Sequence, residues 1–111
     1  MNSTEPAFEI SVEEFKFLQE SKIPHLLLDV REPFEIEIVY FKESLFIPLN
    51  ELASKISELP EEKFIVIVCH HGQRSLRACV LLRKLGFKNT ASLKGGIDEW
   101  ARRIDSSMAV Y

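Results

Sequence analysis

The residues best suited to chemistry lie in one stretch, Phe64 to Ser75, with the sequence FIVIVCHHGQRS. Cys69 is a soft nucleophile, and it is followed by His70, His71, Gly72, Gln73 and Arg74, all polar or glycine. The five residues before it form an unbroken apolar, largely β-branched run, the pattern of a strand buried on both faces of a parallel sheet. After Ser75, Ala78, Leu82 and Leu85 recur at helical spacing, with Arg77, Arg83 and Lys84 left for solvent. Strand, short loop and helix in that order put Cys69 at the carboxyl end of a buried strand, where open α/β sheets bind ligands. The loop N–H groups, the helix N-terminus and the Arg74 guanidinium then face one place, and all favour an anion there. They are expected to favour the thiolate of Cys69 over the thiol, whose ordinary pKa is about 8.5, and so to make the sulfur nucleophilic at neutral pH.

Other uses of the histidines meet geometric objections. His70 adjoins Cys69 in the chain, and neighbours in a tight loop seldom turn their side chains onto each other, so His70 is a poor general base. Cys69, His70 and His71 are consecutive, without the separations that let ligands surround a tetrahedral ion, and no metal is expected. Both imidazoles are assigned to the polar rim of the pocket, within reach of substrate.

The stretch resembles the active-site loop of rhodanese-like sulfurtransferases, whose motif is Cys, four residues, then Arg, with glycine in the fourth place. Cys69, Gly72 and Arg74 match it. LLDVREPFE (27–35) is similar to the family's first signature and LKGGIDEW (93–100) to its last, so the resemblance covers nearly the whole chain. The tail IDSSMAVY (104–111) resembles the ends of rhodanese domains fused to adenylyltransferases that charge ubiquitin-like sulfur carriers. The resemblance implies an α/β fold of about five parallel strands with helices on both faces, in a single domain over residues 1–111. It also implies that sulfane sulfur moves from thiosulfate or a persulfide donor to a thiophilic acceptor through a persulfide on Cys69. The amides from His70 to Ser75 would hold the persulfide anion and Arg74 would pair with the donor's sulfonate, with His70, His71, Gly72, Gln73 and Ser75 forming the substrate site. The implied partners are a small anionic sulfur donor and a sulfur acceptor, which can be a protein; no metal or organic cofactor is implied.

Two rivals follow from the same loop. A cysteine phosphatase or arsenate reductase also places a Cys-to-Arg loop between a buried strand and a helix, but with five intervening residues that cradle a tetrahedral phosphate. Four make a tighter ring that suits one sulfur atom. A non-catalytic binding module on the rhodanese fold is the other, although inactive members of the family commonly lack the cysteine. The chain departs from the family in one place: Val39–Ser44 stands where many members have a glycine- and proline-containing turn reading GHIPGA. Tyr40 and Phe41 are expected there as a bulky wall near the pocket or an exposed patch.

Composition narrows the class. The 111 residues, 46% apolar and 28% charged, suit one ordinary globular core. No basic n-region followed by an apolar run opens the sequence, and no segment reaches the roughly 18 apolar residues of a membrane span, so a cytoplasmic protein is expected. The net charge of −3 argues against general nucleic-acid binding. It is unevenly spread: residues 1–69 hold 6 Lys and Arg against 14 Asp and Glu, whereas residues 70–111 hold 8 against 3, so positive charge follows the candidate nucleophile. Cys69 and Cys79 form no disulfide framework, and Cys79, beside Ala78 on the apolar helix face, is expected in the core.

The remaining chain must position the loop. Phe8–Ile10 is a short strand, and Ser11 with Glu14 is a capping box for a helix whose apolar face is Val12, Phe15 and Leu18. Leu26–Val30 is a second buried strand ending on Asp29 and Arg31, candidates for supporting or lining the pocket, Asp29 chiefly as a hydrogen-bonding staple. Pro33 opens a short helix through Ile38. Phe46–Ile47 is a strand, and Leu52, Ile56 and Leu59 share a helix face ended by Pro60. Gly86 caps the central helix, Asn89–Leu93 is the last strand, and Lys94-Gly95-Gly96 turns into a helix that begins near Ile97 and carries Trp100 as a core anchor.

Overall fold

The computed structural model describes residues 6–111. Five parallel strands form one sheet in the order β1-β5-β4-β2-β3: β1 Glu9–Ile10, β2 His25–Asp29, β3 Leu45–Phe46, β4 Phe64–Val68 and β5 Thr90–Leu93. The helices are α1 Val12–Glu20, α2 Pro33–Ile36, α3 Gln73–Lys84 and α4 Gly96–Arg103, with a 3₁₀ segment at Leu49–Glu58. The expected α/β sheet with helices on both faces is what the chain forms.

The apolar runs explain both layers. Along β4, Ile65, Ile67 and then Cys69 face α3 and the 3₁₀ segment, joining Leu28, Val30, Ala78, Cys79 and Leu82. Val66 and Val68 face the other way, joining Val12, Phe15, Leu93, Ile97 and Trp100 under α1 and α4. A strand with both faces buried leaves no polar alternation, as the sequence pattern requires. The chain leaves the carboxyl ends of the adjacent β2 and β4 toward opposite edges of the sheet, which opens a crevice at those ends.

Local signals hold where they are strongest. Ser11 Oγ accepts from the Glu14 amide at 3.0 Å and Glu14 Oε1 accepts from the Ser11 amide at 2.9 Å, so the capping box starts α1 as expected. Several boundaries differ by one or two residues, and α2 is shorter than expected. The segment after Pro48 is a 3₁₀ helix kinked at Lys55 rather than an α-helix. Asn50, Ser54 and Ser57 are weak helix formers, and Ser54 Oγ bonds the Glu51 carbonyl at 2.8 Å, a local bond that competes with helical pairing.

Three side chains go elsewhere than the spacing implies. Leu85 is exposed, because α3 has already ended; Phe87 enters the core in its place, and its amide donates to the Leu82 carbonyl at 2.9 Å across Gly86. Arg83 is half-buried rather than on the solvent face, with Nη2 donating to the carbonyls of Pro6 and Thr90 at 2.7 Å. Phe41 does not wall the pocket. It is buried in edge-to-face contact with Phe15 at 5.9 Å and Trp100 at 5.6 Å, while Tyr40 is 51% exposed. A bulky aromatic thus takes the space under α1 and α4 and anchors the atypical 39–44 stretch from beneath. No helix among the described residues is long and apolar enough to cross a membrane.

Phe41→Ala is expected to cost about 3–4 kcal/mol in urea unfolding, because it empties the aromatic cluster, whereas Tyr40→Ala stays within about 0.5 kcal/mol. Equal costs would contradict this placement.

Candidate active site

Cys69 is the first residue beyond β4, and α3 begins four residues later. The loop between them is held in place from outside. The Ile97 amide donates to the Cys69 carbonyl at 2.9 Å and the Asp98 amide to the His70 carbonyl at 3.1 Å, so the first turn of α4 spends its unpaired donors on the loop's outward carbonyls. That approach requires glycine at 96: a Cβ there would fall on both carbonyl oxygens, and its φ of +65° suits no other residue well. Gly72, at φ +103°, turns the loop into α3.

With its carbonyls taken from outside, the loop turns N–H groups inward. The Gly72 amide donates to Cys69 Sγ at 3.1 Å and the Ser75 amide at 3.3 Å, while Ser75 Oγ lies 3.4 Å away. Cys69 is 1% exposed, with its sulfur among these donors at the N-terminal end of α3. Such a cage solvates an anion without water. Gln73 is exposed on the first turn of α3.

Arg74 departs from expectation. Its Nη1 and Nη2 donate to Glu35 Oε1 and Oε2 at 2.6 and 2.9 Å, so the guanidinium fork is filled by a carboxylate of α2 and does not bond the sulfur. Its pKa is pushed further up by that bond, against the effect of burial. Burial alone would raise the Glu35 carboxyl, but the bonds from Arg74, the Glu32 amide and Tyr111 overcome it and hold the group down at about 2.

Arg31 does not line the pocket. It is fully buried, and all five of its N–H donors are placed: Nε and Nη2 on Asp29, Nη2 also on the Val39 carbonyl, and Nη1 on Tyr111 Oη and the Glu35 carbonyl. Burial works against its charge, and Asp29 and Tyr111 more than offset this, so its pKa is raised. Asp29 also accepts from the Arg31 amide at 3.0 Å, the staple foreseen for it. Together the two residues fix the end of β2 to α2 and to the 39–44 stretch.

His70 lies between two rings, stacked on Tyr111 and tilted against His71. The His70 ring lies 3.7 Å from the Tyr111 ring, nearly parallel to it, and 3.8 Å from the His71 ring. Burial and the neighbouring His71 lower the His70 pKa, against Tyr111, Asp98 and Glu35. One ligand atom each from His70, His71 and Asp98 lies within 4.8 Å of the others, so among the described residues these three could together hold a metal ion. Tyr111 Oη donates to Glu35 Oε2 at 2.7 Å, and burial, first of several causes, pushes its pKa up to about 12.

Sequence reasoning missed Glu35, Tyr111 and Ser92, whose Oγ lies 2.6 Å from Ser75 Oγ. Glu35 stood inside the quoted LLDVREPFE and Tyr111 inside the tail, but no local pattern ties either to its partners. Ser92 and Thr90 did leave a signal: two hydroxyl residues alternate within a strand whose faces are both buried.

Comparisons with known proteins establish the family and the fold. The family profile described as a rhodanese-like domain matches residues 11–103, and the chain belongs to that family. It is 38% identical over 77 residues to a protein named sulfurtransferase from Allochromatium vinosum, covering 69% of this chain and 72% of that one. It is 36% identical over 109 residues to the adenylyltransferase and sulfurtransferase MOCS3-2 of Zea mays, covering 92% of this chain but only 23% of the maize protein. The chain thus spans about a quarter of the length of that relative. The human single-domain sulfurtransferase TSTD1 superposes with a TM-score of 0.75 at 27% identity, covering 88% of this chain and 98% of the human one.

The Glu35 shift has a pH consequence. A carboxyl held near 2 against an ordinary 4.5 contributes stability that is complete above about pH 5 and is lost as pH falls toward 2. Glu35→Gln is expected to be less stable than the wild type at pH 7 by on the order of 3 kcal/mol in urea unfolding, with the gap narrowing steadily below pH 4. A gap independent of pH would contradict this assignment.

Proposed function

We propose that the protein is a sulfurtransferase that carries sulfane sulfur as a persulfide on Cys69. The observation behind this reading is the convergence of the Gly72 N–H, the Ser75 N–H and the Ser75 hydroxyl on one buried sulfur at the carboxyl end of the central strand. Membership of the rhodanese-like family and relatives named as sulfurtransferases support it.

Transfer takes two displacements. The Cys69 thiolate attacks the outer sulfur of thiosulfate; the sulfur–sulfur bond of the donor breaks, sulfite leaves with the electron pair, and Cys69 holds a persulfide anion. An acceptor thiolate or cyanide then attacks that outer sulfur and leaves with it, and Cys69 returns to thiolate. The amides of the His70–Ser75 loop hold the added sulfur's charge, as an oxyanion hole does, and neither step needs a metal or organic cofactor.

Arg74 takes a different part from the one its place in the motif implies. Joined to Glu35, it ties the first turn of α3 to α2, and a donor sulfonate gains its guanidinium only by displacing that carboxylate. Attraction of the donor falls instead to the loop amides and the helix N-terminus, with His71 and Gln73 at the exposed rim. Thiosulfate and cysteine persulfide are the donors proposed, and a low-molecular-weight thiol or a sulfur-carrier protein the acceptor, in a reducing compartment such as the cytoplasm that keeps Cys69 and Cys79 as thiols.

Intact-protein mass spectrometry after brief thiosulfate treatment tests the reading. The wild type and Cys79→Ser are expected to gain one sulfur and release it to cyanide as thiocyanate, and Cys69→Ser to gain none. Equal loading of Cys69→Ser and wild type would overturn the assignment of the carrier.

A further inference from the structure

The seam between α3 and β5 is polar although it is wholly buried. Ser75 and Cys79 lie four residues apart on the face of α3 toward β5, and Thr90 and Ser92 lie two apart on the facing side of the strand; all four are inaccessible to solvent. Cys79 Sγ meets Thr90 at 3.5 Å, and Ser75 Oγ meets Ser92 Oγ at 2.6 Å. The second pair is joined to the candidate nucleophile: Ser75 Oγ is 3.4 Å from Cys69 Sγ, and the Gly72 carbonyl lies 3.2 Å from Ser75 Oγ and 3.5 Å from Ser92 Oγ.

Two hydroxyl protons serve this chain, with the Gly72 carbonyl within reach of both, and their direction can follow the state of the sulfur. When Cys69 is a thiol, S–H donates to Ser75 Oγ, Ser75 to Ser92 Oγ, and Ser92 to the Gly72 carbonyl. When the sulfur is an anion the order reverses: Ser92 donates to Ser75 Oγ, and Ser75 donates to Sγ. Each arrangement gives both buried hydroxyls a partner, so the hydroxyls follow the charge on the sulfur without leaving a donor unpaired. Without Ser92, Ser75 in the anionic state has no hydroxyl behind it, and the polarisation along the pair is lost.

From this we infer that Ser92 is a positioning residue for the discharge of the carried sulfur, acting through Ser75. The inference rests on the persulfide reading above. In the loaded protein the negative charge sits mainly on the outer sulfur. When the acceptor attacks, the bond between the two sulfurs breaks, its electron pair returns to Cys69 Sγ, and the acceptor departs with the outer sulfur. Charge therefore develops on Sγ, where the Ser92–Ser75 chain delivers its hydroxyl. During loading the same donor stabilises the attacking thiolate as well, and thiolate nucleophilicity falls as its stabilisation rises, so the gain there is small. Removing the Ser92 hydroxyl should therefore slow discharge more than loading.

Single-turnover kinetics on the full chain separate the two steps, with loading by thiosulfate followed by mass and discharge to cyanide followed by thiocyanate release. Ser92→Ala is expected to slow discharge about fivefold, the scale of weakening one charge-assisted bond, and to change loading less than twofold. Ser92→Thr, which keeps the hydroxyl, restores discharge to within twofold of wild type. Ser75→Ala slows discharge more than Ser92→Ala, and adding Ser92→Ala to it has no further effect, because the two act in series. If Ser92→Ala does not fold, Ser92→Cys, of similar volume but a weak donor, carries the same expectation. Discharge at the wild-type rate in Ser92→Ala, equal slowing of both steps, or additive effects in the double variant would overturn the inference and leave the persulfide reading intact. Absence of any sulfur on the wild type after thiosulfate or cysteine persulfide would overturn both.

Discussion

Two main-chain hydrogen bonds organise the site: from the Ile97 amide to the Cys69 carbonyl and from the Asp98 amide to the His70 carbonyl. A helix N-terminus carries donors without partners, and a tight loop carries carbonyls that water would otherwise satisfy. Setting one against the other turns the loop's carbonyls outward and its amides toward the sulfur. The apolar layer beneath α4, with Ile97 and Trp100 packed on β4 and β5, holds that helix at the required height. The glycine at 96 is the steric condition for this contact.

A second constraint comes from buried charge. Arg31 and Asp29 are both without solvent access, and a pair in that position is tolerated only when its remaining hydrogen-bonding capacity is used. Val39, Glu35 and Tyr111 supply that capacity, so the pair also fixes where α2 and the 39–44 stretch lie. Glu35 extends the network to Arg74 and thereby to the first turn of α3. The cage around Cys69 is thus braced from two sides, by main-chain bonds through α4 and by ionic bonds through α2.

The fold was legible because its elements announce themselves locally. The Phe64–Val68 run, the Ser11 capping box and the Gly95-Gly96 turn each carry a steric or periodic reason that needs no distant partner. The candidate nucleophile was legible for the same reason, since a strand ending in cysteine before glycine and a helix leaves few geometries open. The long-range electrostatics were not. Arg74 and Glu35 are 39 residues apart, and Arg31 and Tyr111 are 80 apart, so spacing gives no hint of either pairing. Phe41 went astray by a related path: an aromatic in a stretch without glycine reads equally well as wall or core, and only the space beside Phe15 and Trp100 decides it. Leu85 shows the limit of periodicity, because a helical spacing continues in the sequence one residue past the end of the helix.

The central claim is that an inward-facing amide loop holds the sulfur that Cys69 carries. The most direct measurement is the amide proton and nitrogen NMR spectrum of the full chain before loading, after loading with one sulfane sulfur, and after cyanide. The account predicts shifts concentrated in the amides of residues 70–76, reversed by cyanide and absent from Cys69→Ser. A protein that has gained one sulfur by mass, yet leaves those amides unmoved while others shift, would contradict it.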